Sequence, residues 1–163
     1  MRLEGAAIVA LVLSVGAGAV SAGEQTAVPA FDVVSPAGVA TASARLSTEP
    51  RFLLVYVTPD CRSCDRLLSA VVDWQRTLPP NRIVVLIGAA PSAALAYARD
   101  RGIGADVGIT WYADPSRQGR AALGLQHAPA LVAVENGQLA WVVSGVLNDP
   151  HAVEQAVRGW TGR

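Results

Sequence analysis

The apolar positions of this chain change period several times, and each change marks an expected element. RFLLVYV (51–57) is an unbroken β-branched and aromatic run, the pattern of a strand covered on both faces. RIVVLIG (82–88) repeats that character. Between them, from Cys64 onward, Leu67, Leu68, Val71, Val72, Trp74 and Leu78 recur at helical spacing, and Pro79 and Pro80 stop the helix. PSAALAYARDRG reads as a short Ala-rich helix closed by Gly102, ITWYADP (109–115) as a further strand, and SRQGRAALGL as another short helix.

The ends of this core follow different rules. FDVVSPAGVATASARLSTEP carries one Pro-Ala-Gly turn signal and predicts an amino-terminal strand or hairpin. PALVAVENGQLAWVVSG predicts two strands joined by Asn136-Gly137, the strongest short hairpin signal. Asp149 and Pro150 suit the cap and first turn of a last helix with Ala152, Val153, Ala156, Val157 and Trp160 on its apolar side. The expected class is α/β: a central mixed sheet flanked by helices, ending in a β-hairpin and a helix.

Composition narrows the function classes. The 163 residues suit one domain, and 52% hydrophobic content supplies a core. Charges balance at 13 basic and 13 acidic, and every basic residue is Arg. No basic run occurs, so a nucleic-acid footprint is absent. GIGADVG (102–108) lacks a phosphate-loop pattern, and no nucleotide is implied. Trp111, Trp141 and Trp160 read as core or rim packing, and Tyr112 with Asp114 as a strand-end turn.

Residues 1–22 differ from the remainder. Arg2 precedes an apolar stretch from Ala6 to Val20, and Val20-Ser21-Ala22 presents small residues. That order predicts a secretory signal peptide cleaved after Ala22, with a retained membrane anchor as the competing reading. Residues 23–30 are expected to be a tether and 31–163 the domain. The implied location is the periplasm or the extracytoplasmic face of a bacterial membrane, where disulfides persist.

The only cysteines, Cys61 and Cys64, sit where the buried strand gives way to the helix. A disulfide between them closes too small a ring to staple a fold. At a helix start, unpaired N–H groups and the dipole stabilise a thiolate, and the second cysteine lies one turn in, within reach to close a disulfide. The spacing and its strand–helix context therefore point to a redox couple, with Cys61 attacking and Cys64 resolving.

With these residues the chain resembles the thioredoxin fold, and specifically the exported TlpA/ResA-like thiol–disulfide oxidoreductases, over roughly residues 31–160. The resemblance rests on FLLVYVTPDCRSC, on the segment before it, and on WYADPSRQGRAALGLQHAPALVAVENGQLAWVVSG with the final helix. It implies a thioredoxin-like fold and a disulfide reductase of the cell envelope, serving cytochrome c maturation in one version. It implies protein thiols and disulfides as substrates, a membrane electron donor, a monomer, and no bound cofactor or metal. It places Pro129 at the position of a cis-proline packed against the pair. The Ala128–Pro129 bond would then expose backbone to an extended substrate segment.

Three positions depart from that pattern. Asp60 stands where a Trp is usual; its carboxylate disfavours a neighbouring thiolate, while Arg62 favours one. The Arg62-Ser63 dipeptide lacks the frequent proline, and Val55 replaces a buried acid. Two other readings stand beside the enzyme. A thioredoxin-like copper chaperone would use Cys61, Cys64 and the distant His127, whereas structural zinc would also require His151. A non-catalytic envelope adaptor is the third.

Overall fold

The computed structural model describes residues 26–145 and 150–161. The signal segment, the first residues of the tether and the Asp149 cap lie outside the described residues, as does the side chain of His151. Strands are β1 (Thr26–Ala27), β2 (Asp32–Val34), β3 (Ala40–Ala42), β4 (Arg51–Val57), β5 (Ile83–Ile87), β6 (Ile109–Ala113), β7 (Ala130–Glu135) and β8 (Gln138–Ser144). Helices are α1 (Arg62–Gln75), α2 (Pro91–Asp100), α3 (Gln118–Ala122) and α4 (Pro150–Thr161).

The strands form one mixed sheet in the order β1-β8-β7-β4-β5-β6-β2-β3. β4, β5 and β6 run parallel, joined by the α1 and α2 crossovers, and β7 lies antiparallel to β4 on its other side. The continuous apolar runs are thereby explained, because alternate residues face two different cores. Leu53, Val55 and Val57 of β4 join Ile83, Val85 and Ile87 against Leu67, Leu68, Val71 and Trp74 of α1. Phe52, Leu54 and Tyr56 join Val84 and Leu86 on the opposite face, covered by Phe31, Val33, Leu123 and Leu125.

Several expected boundaries shift. Helix α1 ends at Gln75, before Leu78, because the Gln75 side-chain amide donates to the carbonyls of Leu78 and Pro79 and the chain turns there. Thr26 and Ala27, read from sequence as tether, pair with Leu139 and Gln138 instead. Val28 N–H extends that pairing to the Gly137 carbonyl. In α4, Val157 and Trp160 are buried but Ala156 faces solvent. The hairpin turn is as expected: Asn136 and Gly137 both take positive φ, 51° and 75°. Trp111 is core, while the half-buried Trp141 meets Trp160 edge to face at 6.2 Å.

Candidate active site

Strand β4 delivers the chain to Thr58, whose carbonyl accepts the Cys61 N–H at 3.3 Å. Cys61 is the N-cap of α1 and is disulfide-bonded to Cys64. Its sulfur accepts the Cys64 N–H at 3.2 Å and lies 3.3 Å from the Ser63 hydroxyl. When the pair is reduced, both groups and the helix N-terminus favour a thiolate on Cys61. Exposure separates the two sulfurs: Cys61 is half-buried, whereas Cys64 is sealed in the α1-side core.

The Ala128–Pro129 peptide bond is cis, and the Ala128 carbonyl oxygen lies 3.6 Å from the Cys61 sulfur. Pro129 is buried and its carbonyl accepts the Gly145 N–H, fixing the loop to the end of β8. The structure thus brings together Cys61, Cys64 and Ala128–Pro129, which are distant in sequence. Arg62 is exposed. Asp60 is also exposed, and hydrogen bonding from the Thr58 side chain, with help from its own backbone and from Arg117, holds its carboxyl below the ordinary carboxylate range. A full negative charge therefore stands immediately before Cys61. His127 is exposed, and among the described residues no three His, Cys, Asp or Glu side chains converge on a metal-sized site.

Two acidic residues visible in sequence have partners that sequence reasoning did not find. Asp65, directly after Cys64, accepts from the Tyr97 hydroxyl at 2.8 Å and from Arg101 Nε at 3.0 Å, and its second oxygen lies 2.8 Å from another Arg101 nitrogen. Tyr97 and Arg101 are spaced i,i+4, which puts them on one side of their segment, but nothing in sequence links them to Asp65.

The second of them is polar and buried. Asp114, read as a turn residue, is fully buried; one carboxylate oxygen accepts the Arg120 N–H at 3.2 Å. Its other oxygen and the Tyr56 hydroxyl are buried with no well-formed hydrogen bond to a further group, and the two act on each other. Burial first, and the Asp114 charge second, push the Tyr56 hydroxyl up to about 12. Burial also raises Tyr97 and Tyr112. Below pH 10 tyrosine is neutral in both folded and unfolded chains. Between about pH 10 and 12 the unfolded chain loses the Tyr56 proton while the folded chain keeps it, so stability falls across that window. Urea unfolding midpoints are expected to drop over it, and less steeply in Tyr56→Phe; equal slopes in the two proteins would refute this assignment.

No protein-family profile matches the chain, and no curated protein matches it. Solved structures do. MTB dsbF is 19% identical, with 80% of this chain and 95% of that one covered and a TM-score of 0.65. A secreted Mycobacterium tuberculosis disulfide oxidoreductase homologous to E. coli DsbE is 16% identical, covering 79% and 95%, TM-score 0.63. A thiol:disulfide interchange protein of the thioredoxin family from Chlorobium tepidum TLS is 18% identical, covering 85% and 97%, TM-score 0.64. These similarities agree with the strand order and the crossover at the cysteine pair: the chain has a thioredoxin-like fold.

Proposed function

We propose that the protein is a thiol–disulfide oxidoreductase that cycles Cys61 and Cys64, acting as a reductase of protein disulfides in the cell envelope. The observation that carries this reading is the asymmetry of the pair. One sulfur is reachable at a helix N-terminus beside the Ala128 carbonyl, and the other is sealed behind it.

In the reducing direction the Cys61 thiolate attacks one sulfur of a substrate disulfide. The substrate S–S bond breaks, one substrate thiolate leaves, and a Cys61–substrate disulfide remains. Cys64 loses its proton and attacks the Cys61 sulfur, releasing the second substrate thiolate and forming the Cys61–Cys64 disulfide. Two electrons have passed to the substrate, and a dithiol donor restores the pair by the reverse exchange. Ala128 and Pro129 would present backbone to an extended substrate segment, and the charges of Asp60 and Arg62 would oppose each other at Cys61. No bound cofactor is required.

An amino-terminal signal, an extracytoplasmic location, a membrane electron donor and a monomeric state belong to the same proposal. The likeness to a secreted disulfide oxidoreductase supports the location. Equilibration of the full chain in thiol–disulfide buffers tests the chemistry. A potential near thioredoxin's, about −270 mV, is expected. One near about −120 mV would reverse the direction to oxidation, and absence of a reversible couple would remove the redox reading altogether.

A further inference from the structure

When the pair is reduced, a Cys61 thiolate at the N-terminus of α1 shares that helix end with a carboxylate. Cys61 caps the helix, and Asp65 lies four residues on, its N–H donating to the Cys61 carbonyl at 3.4 Å. Asp65 is the acidic residue of the first turn of α1, and two anions drawn to one helix end oppose each other. A carboxylate at Asp65 therefore competes with a Cys61 thiolate for the same positive helix end. Other charges stand nearby: Arg66 and Asp100 line the same cleft as Asp65 and Arg101. Asp60 adds a further negative charge; Arg62 and Arg66 are exposed on α1, His127 stands on the loop before β7, and Arg117 acts on Asp60.

The cation engaged with Asp65 comes from the end of α2. Arg101 contacts both carboxylate oxygens, at 3.0 and 2.8 Å, and its guanidinium stacks 5.3 Å from the Tyr97 ring centroid. The buried Tyr97 holds the same carboxylate from beneath. Both charged side chains remain about one-third exposed, 37% for Asp65 and 35% for Arg101, so the bridge is a weak staple in solvent. Its placement beside Cys64 gives it another use.

We propose that Arg101, seated on Tyr97, is a positioning residue that cancels the Asp65 charge in the first turn of α1, so that this carboxylate does not oppose the helix N-terminus at the Cys61 thiolate. This rests on the dithiol reading of the pair. It makes the reactivity of Cys61 depend on a residue outside the motif, on a different helix connection.

The test is the Cys61 pKa, read from thiolate absorbance in the full chain carrying Cys64→Ser. Arg101→Met is expected to raise it by about half a unit and Asp65→Asn to lower it by a similar amount. The double variant is expected to return it near the starting value, and Arg101→Lys, which keeps the cation without the planar fork, to leave it there. Opposite shifts that cancel establish charge compensation. Shifts in the same direction, no shift, or Arg101→Lys behaving as Arg101→Met would overturn it, since lost packing does not change sign with charge. Thermal unfolding of each variant checks that it is folded. The parent chain with both cysteines separates the two levels: no reversible couple there defeats the dithiol reading, whereas a normal couple with the wrong shifts defeats only the role of Arg101.

Discussion

Replacing Cys61 by Ser is expected to lower disulfide-exchange turnover by at least about a thousandfold, and replacing Cys64 is expected to halt the cycle differently. Cys61 carries the accessible sulfur, so its loss leaves no atom that a substrate disulfide can reach. Cys64 is fully buried, so Cys64→Ser keeps the attacking thiolate but removes the group that resolves the intermediate. The two variants should therefore separate on a non-reducing gel with a disulfide-bonded protein substrate. Cys64→Ser should accumulate a covalent adduct that thiol reductant releases; Cys61→Ser should show none. Adducts in both variants, or in Cys61→Ser alone, would reverse the assignment of the attacking sulfur. The small ring between the cysteines restrains the unfolded chain little, so losing the disulfide itself costs little stability, and thermal unfolding of each variant checks that it is folded.

Gly88→Ala is expected to cost about 2–3 kcal/mol of stability, since an added Cβ there meets the tightest contact of any described glycine. Gly88 follows β5 and donates to the Val57 carbonyl at 2.9 Å, where β4 ends. A Cβ there would collide with the Tyr56 hydroxyl, and would stand 3.0 Å from the Tyr56 ring carbon that bears it and 3.1 Å from Thr58 Cγ2. None of these atoms can retreat easily: Tyr56 is fully buried within the sheet, and Thr58 is buried and bonded through its carbonyl to Cys61. Tyr56→Phe removes the colliding oxygen, so the double variant should recover part of the cost. Denaturant unfolding of the four proteins measures this coupling. Strict additivity would show that the cost at Gly88 lies elsewhere.

Much of this arrangement was readable where local chemistry decides the outcome. The buried strands, the helix behind the cysteines and the Asn136-Gly137 turn declare themselves within a few residues. The Pro129 loop was placed beside the cysteines only through resemblance, since no local signal ties residue 128 to residue 61. What stayed hidden depends on register between distant elements. Asp114 looks like any turn aspartate until β6 carries it between β5 and α3, and Asp65 looks like a solvated first-turn acid until α2 brings Tyr97 and Arg101 against it. The short strand at Thr26–Ala27 was read as tether because two residues carry too little pattern. Its identity comes from the free edge of β8.

The strand order also has a kinetic consequence. β4, α1 and β5 are contiguous in sequence, and their pairing closes only a short loop. β7, the other neighbour of β4, is built from residues more than seventy positions later, and β1 waits for β8 across more than a hundred. Closing such long loops is the slow part of assembling a sheet of this kind. A chain that folds as it emerges, amino end first, therefore assembles the segment bearing both cysteines before the loop bearing Ala128 has arrived. On that order, the carbonyl beside the Cys61 sulfur is among the last parts of the site to arrive.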